Sequence, residues 1–146
     1  MKLIIISSGG GKTTLANKYK NLFYDIDTLI WSEKNSQYHD QLNKAISILN
    51  LVKIKDIYKK IVLENKQEIL SSNKIILTHH ILCANWLELT PIIQLKPVKE
   101  LHREVIKDYK KSKKFLSKLG WKKLKDAKQF STFVELENII TELIKK

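Results

Sequence analysis

At 146 residues the chain is long enough to bury a continuous core around one sheet without disulfide or metal staples, and too short to expect a second domain. Its one cysteine, Cys83, excludes an intrachain disulfide and points to a reducing compartment, where a small buried apolar role suits it better than that of a nucleophile. The opening apolar run is too short for a signal peptide, and no stretch approaches the roughly 20 apolar residues of a membrane span, so the expectation is a soluble, cytoplasmic protein.

Leu3 to Ser7 reads as a buried strand, followed by a glycine-rich turn and a helix from Lys12 to about Lys20. Leu22-Phe23-Tyr24 is a second short strand that ends at Asp25-Ile26-Asp27. Between residues 40 and 70 Leu42, Ala45, Ile46 and Leu49, then Ile54, Ile57, Tyr58, Ile61 and Val62, recur at helical spacing, with a break near Asn50. Lys74 to Thr78 is the third strand, closed by His79-His80, and a short helix covers Ile81 to Leu87. Pro91 to Pro97 fits a fourth strand with prolines at its two ends.

From Val98 to Leu119 the pattern predicts a long helix or a helix pair stopped by Gly120, with a further helical turn over Trp121 to Ala127. Phe130 to Val134 is expected as the last strand and Glu135 to Lys146 as a closing helix. Strands that alternate with helices in this way predict an α/β fold, a three-layer, doubly wound parallel sheet of about five strands in a single domain over 1–146. Ligands of such folds bind beyond the carboxyl ends of the strands.

The formal charge of +12 arises from 27 basic residues, all lysine except Arg103. That bias also follows from a low-GC genome, so its distribution is more informative than its size. Residues 96–128 hold 13 basic and 4 acidic side chains, three quarters of the net charge. Arg103, Lys107, Lys110 and Lys114 share one helical face by spacing, which reads either as a lid over phosphates or as a solvated surface.

The chemistry-bearing segment is Ser7-Ser8-Gly9-Gly10-Gly11-Lys12-Thr13-Thr14. A strand, a glycine turn that exposes backbone N–H groups, and a Lys-Thr pair at a helix start converge on one anion, so Ser8 to Thr14 are candidate phosphate ligands. The alternative is a glycine turn that binds nothing. Against the pattern G-x-x-x-x-G-K-[S/T], the first glycine falls on Ile6. Either the loop is one residue short, with Ser7 or Ser8 in the glycine's place, or the strand ends early.

Lys12 is expected on the outer phosphates of a nucleotide, and Thr13 on Mg²⁺. Asp25 and Asp27 would both face the phosphates if the chain stays extended, one near the metal and one at an attacking hydroxyl. The plainer reading is a helix cap. His79 stands where a second substrate would lie, whereas two adjacent histidines on a strand point apart and do not make a metal site. Trp31, Trp86 and Trp121 are stacking candidates or core residues.

Lys12-Thr13-Thr14-Leu15-Ala16 followed by Phe23-Tyr24-Asp25-Ile26-Asp27-Thr28-Leu29-Ile30 resembles the start of the small P-loop kinases, among them shikimate kinase, gluconate kinase and the adenylate-kinase-like nucleotide kinases with their short virus-encoded relatives. The resemblance implies a P-loop NTPase-like fold, ATP and Mg²⁺ as cofactors, Lys12, Asp25, Asp27 and Arg103 as catalytic residues, Thr13 and Asp25 toward the metal, and Asp27 and His79 toward the acceptor. It implies a lid over 98–128 and, for a virus-encoded chain, the host cytoplasm. Thr78-His79-His80 replaces the glycine run of the shikimate enzymes, so shikimate is not the expected acceptor. The expected function is ATP-dependent transfer of a phosphoryl group to a small acceptor such as a nucleoside monophosphate. The alternatives are a nucleic-acid-binding or end-modifying protein that uses 96–128 as its basic surface, and a nucleotide-binding scaffold without catalysis.

Overall fold

The computed structural model describes residues 1–145. Its element order is β1 (Leu3–Ile6), α1 (Lys12–Lys18), β2 (Phe23–Asp25), α2 (Ile26–Ile30), a 3₁₀ helix (Glu33–Tyr38), α3 (His39–Ser47), α4 (Leu51–Glu64), α5 (Lys66–Ser71), β3 (Ile75–Thr78), α6 (Ile81–Leu87), β4 (Ile93–Pro97), α7 (Lys99–Ile106), α8 (Lys111–Lys123), β5 (Lys128–Phe130) and α9 (Phe133–Lys145). The five strands form one all-parallel sheet in the order β2-β3-β1-β4-β5. Helices cover both faces, as in a doubly wound α/β fold. Among the described residues no helix is long and apolar enough to cross a membrane.

The period of two along β1 divides the core. Leu3 and Ile5 face a cluster built from α2, α3, α4, α5 and α6, with Ile26, Leu42, Ile61, Ile69 and Leu87. Ile4 and Ile6 face the opposite cluster, with Leu15 of α1, Phe130 of β5, and Leu136 and Ile140 of α9. All four β1 side chains are fully buried, which is why the run lacks the apolar–polar alternation of a half-exposed strand. The chain leaves β1 toward the β2 edge and leaves β4 toward the β5 edge. The connections therefore diverge at the carboxyl end of β1, the place where such sheets open a crevice.

Two helix alternatives are settled and one helix expectation changes. The segment 98–119 is a pair, because the chain breaks at Lys107–Lys110: Tyr109 N–H closes a turn on the Ile106 carbonyl and Lys110 is extended (φ −59°, ψ 151°). Gly120 does not end a helix. It sits inside α8, which runs on to Lys123 because Leu124 is anchored in the core beyond it. A helix also begins directly after β2, so the chain is not extended through Asp27.

The last strand is shifted to Lys128–Phe130, and Phe133 and Val134 belong to α9. The reason is a reciprocal cap: Glu135 N–H donates to Thr132 Oγ1 (3.1 Å) while the Glu135 carboxylate accepts from Ser131 N–H (3.0 Å). This pattern of Thr followed three residues later by Glu is legible in the sequence and outweighs the β-branched run before it. The break at Asn50 is present, and Asn50 caps α4 by accepting from Lys53 N–H (3.1 Å).

Candidate active site

The loop after β1 is Ser7 to Gly11. Since β1 continues through Ile6, and Ser7 N–H still donates to the Leu95 carbonyl (3.1 Å), the loop is short and the strand does not end early. Gly9 and Gly11 have φ of +78° and +89°, the left-handed region in which a side chain is strained. Gly10 is required by space. A Cβ there would lie 2.6 Å from Ile6 Cγ2 and 2.7 Å from the Ser7 carbonyl oxygen. Because backbone cannot yield as a flexible side chain does, Gly10→Ala is expected to cost about 1–3 kcal/mol in chemical denaturation. A variant as stable as the parent would refute the packing.

The loop is braced on both sides, by Val105 and Ile106 of α7 behind Gly9 and by Phe133 and Leu136 of α9 behind Gly11. Gly10 N–H is spent on the Ser7 carbonyl (2.9 Å), whereas the N–H groups of Ser8, Gly9 and Gly11 have no acceptor among the described residues. Gly10 is correspondingly buried, while Ser8, Gly9, Gly11, Lys12, Thr13 and Thr14 line a cleft of about 1050 Å³.

Lys12 is the best-placed side chain of the cleft. It is 6 % exposed, and its ammonium pairs with Asp27 Oδ2 at 2.5 Å. His79 Nδ1 donates to the same oxygen at 3.0 Å, so one carboxylate oxygen joins the head of α1, the first turn of α2 and the end of β3. Burial disfavours the Lys12 ammonium, but Asp27 and Asp25 outweigh it and hold its pKa above the ordinary lysine value. Burial likewise works against the Asp27 carboxylate. The charges and hydrogen bonds of His79 and Lys12 win and hold it well below the usual range.

Asp25 is placed differently from Asp27. It caps α2, Oδ1 accepting Asp27 N–H at 3.0 Å, and its Oδ2 accepts from Thr13 Oγ1 at 3.5 Å. Burial pushes its pKa up, against the pull of Lys12. The two aspartates therefore do not face the cleft together: Asp27 lines it, and Asp25 lies beneath Thr13 beside a second hollow of about 490 Å³ at the β2 edge. Arg103 is exposed on α7 and is not part of the cleft wall, nor is Lys96 at the end of β4. Lys96 is buried, donates to the Trp121 carbonyl (3.2 Å) and lies 3.9 Å from the centre of the Trp121 ring. The expected face of Arg103, Lys107, Lys110 and Lys114 is cut by the break between α7 and α8. Lys107 pairs with Glu104, and of the four only Lys110 reaches the cleft.

His79 and His80 lie beyond the end of β3, so strand alternation does not separate them: their rings are 6.3 Å apart and both stand against Tyr58. His80 caps α6, its Nδ1 accepting Leu82 N–H (3.3 Å), and packs between Tyr58 and Trp86. Burial, helped by His79 and Lys123, lowers its pKa from 6.5 to about 4. A histidine kept neutral by the fold but free to charge when unfolded costs stability as pH falls, beginning below 6.5 and complete by about 4. Denaturation from pH 7 to 4 should show a loss of up to about 3 kcal/mol that is absent in His80→Asn, since 1 pKa unit is about 1.4 kcal/mol.

Among the described residues no group of three His, Cys, Asp or Glu side chains is arranged to hold a metal. No protein-family model matches this chain, and no curated protein or solved structure matches it either.

Residues that carry no motif complete the cleft. α8 packs against α3 and roofs it with Lys113, Leu116, Ser117 and Gly120, the opposite wall being Trp31, Asn43, Ile46, Ser47 and Tyr58. Tyr58 is buried with its ring edge-on to His79 at 5.9 Å. Its helical spacing marked it only as core. Of the three tryptophans, Trp31 alone lines the cleft, 40 % exposed.

Proposed function

We propose that the chain is an ATP-dependent phosphotransferase of the small P-loop kinase type, in which Ser8, Gly9, Gly11, Lys12, Thr13 and Thr14 hold the phosphates of the donor. The observation that carries this reading is the meeting of Lys12, Asp27 and His79 at the mouth of a cleft that begins at the glycine loop. An ammonium at a helix start, with unspent N–H groups before it, recognises phosphate oxygens. A carboxylate and an imidazole beside it have no role in phosphate binding but suit the second reactant.

The cleft volume supports the same reading, since it has room for a nucleotide and a second small molecule. Thr13 fits magnesium: its Oγ1 is a hard oxygen in the cleft lining, backed by the Asp25 carboxylate at 3.5 Å, and an ion held mostly by phosphates and water needs no protein cage. When bound, Mg²⁺ supplies neutralisation of charge on the β- and γ-phosphates. Lys12 neutralises the transferring group, the Ser8, Gly9 and Gly11 N–H groups bind phosphate oxygens, and the α8 roof excludes water. Lys110 and Lys113 add charge from above, the part expected of Arg103.

Titration calorimetry with Mg·ATP, followed by ATP turnover in the presence of acceptors, tests the proposal. Saturable binding and acceptor-dependent turnover are expected. Binding without turnover on any acceptor leaves a nucleotide-binding scaffold, and no binding removes the phosphate reading altogether.

A further inference from the structure

The two halves of the cleft differ in charge. Lys12, Lys110 and Lys113 belong to the loop and roof, whereas the wall beyond Asp27, made by Trp31, Asn43, Ser47 and Tyr58, contributes no cation. A phosphate on the acceptor would find no cation among these four wall residues themselves. Asn43 and Ser47 instead offer neutral hydrogen-bonding groups, and the exposed face of Trp31 offers a flat surface of the kind that sugars and bases cover.

The hydrogen bonds around Asp27 point the same way. Its Oδ2 is already shared by Lys12 and His79, and its Oδ1 is enclosed with no partner among the described residues. Oδ1 is thus closed to an incoming hydroxyl and Oδ2 is already engaged by two donors. His79 is different: with Nδ1–H committed to Asp27, the neutral form of the ring carries its lone pair on Nε2, an atom with no hydrogen-bond partner among the described residues. Lys12 fixes the carboxylate, the carboxylate fixes the imidazole, and the imidazole is left with a vacant acceptor at the cleft.

On the phosphotransferase reading, from which this follows, we propose that the acceptor is a neutral hydroxyl compound, a sugar or a nucleoside, and that His79 Nε2 takes its proton. A hydroxyl must lose a proton on becoming a phosphate ester, whereas the phosphate of a nucleoside monophosphate has none to lose at neutral pH. In the transfer the acceptor oxygen forms a bond to the γ-phosphorus of ATP, and the bond from that phosphorus to the β,γ-bridging oxygen breaks. ADP leaves with the electron pair, and the hydroxyl proton ends on Nε2. Asp27 is a positioning residue in this step.

The test uses the whole chain with Mg·ATP and three acceptor arms: adenosine and thymidine, glucose, and the monophosphates AMP and dTMP. Transfer to one of the first two arms and not to the third is expected, and the active arm tells nucleoside from sugar. His79→Asn keeps a donor where Nδ1 stands but removes Nε2. It should lower kcat about 100-fold or more while Mg·ATP affinity stays within about twofold. His79→Gln and thermal melts of both variants separate misfolding from lost chemistry. Transfer to monophosphates, no transfer to any neutral hydroxyl while Mg·ATP binds, or His79→Asn turnover within about threefold of the parent each overturns the assignment and leaves ATP binding intact. Failure of the parent chain to bind Mg·ATP overturns the underlying reading.

Discussion

Lys12→Ala is expected to fail twice, in turnover and in stability. Lys12 is almost wholly enclosed, and its loss leaves the Asp27 carboxylate, itself only 23 % exposed, without its nearest cation. Removing one partner of a buried pair costs about 3–5 kcal/mol. Because Asp27 retains some water and the His79 hydrogen bond, the lower end of that range applies, and the melting temperature should fall by about 6–12 °C. Turnover should fall at least about 100-fold, the usual effect of deleting one preorganised group from a charged transition state. The double variant Lys12→Met, Asp27→Asn separates the effects, since it removes both charges and should recover most of the stability but none of the turnover. Full activity in Lys12→Ala would sink the mechanism.

Phe130→Ala is expected to match it in stability from a position that touches no ligand. Phe130 is the bulkiest fully buried side chain and fills the space between β5 and α9. Deleting a buried phenyl ring costs about 3–5 kcal/mol, through lost transfer energy and an unfilled cavity. The effect should reach the loop as well. Phe130 packs on Phe133 (ring centres 6.1 Å apart), and Phe133 is the side chain against Gly11. Weaker Mg·ATP binding is therefore expected at temperatures where the variant is folded. Phe130→Leu keeps most of the volume and should keep most of the affinity. A melting temperature within about 2 °C of the parent in Phe130→Ala contradicts this packing.

Local patterns made much of this molecule legible. Leu3 to Ile6, the Ser-Gly-Lys-Thr turn, Ile75 to Thr78 and the helical spacing around Asn50 each obey a rule that operates within a few residues, and the fold respects them. What escaped depends on distance. Gly120 reads as a stop, but Leu124 is held by a core assembled from other elements. Asp25-Ile26-Asp27 reads either as an extended pair or as a helix cap, and the Asp25 side chain, which accepts from Asp27 N–H, makes it the cap. Lys12, Asp27 and His79 were all legible as candidates. Their sharing of a single oxygen was not, because 52 residues separate Asp27 from His79. Trp31 is a stacking candidate by residue type alone, whereas Asn43, Ser47 and Tyr58 carry no motif and become functional candidates only where α3 meets α8.

The bracing of the glycine loop has a consequence for how the protein is made. The loop is synthesised about 100 residues ahead of the side chains that hold it, Val105, Ile106, Phe133 and Leu136. β1 also waits for both its neighbours, β3 and β4, each 70 or more residues downstream. A nascent chain arrested before residue 133 thus carries every residue of the glycine loop with no wall behind Gly11. Nucleotide binding is expected to appear only once the chain has been made through Leu136, which makes it a readout of how far folding of this sheet has advanced.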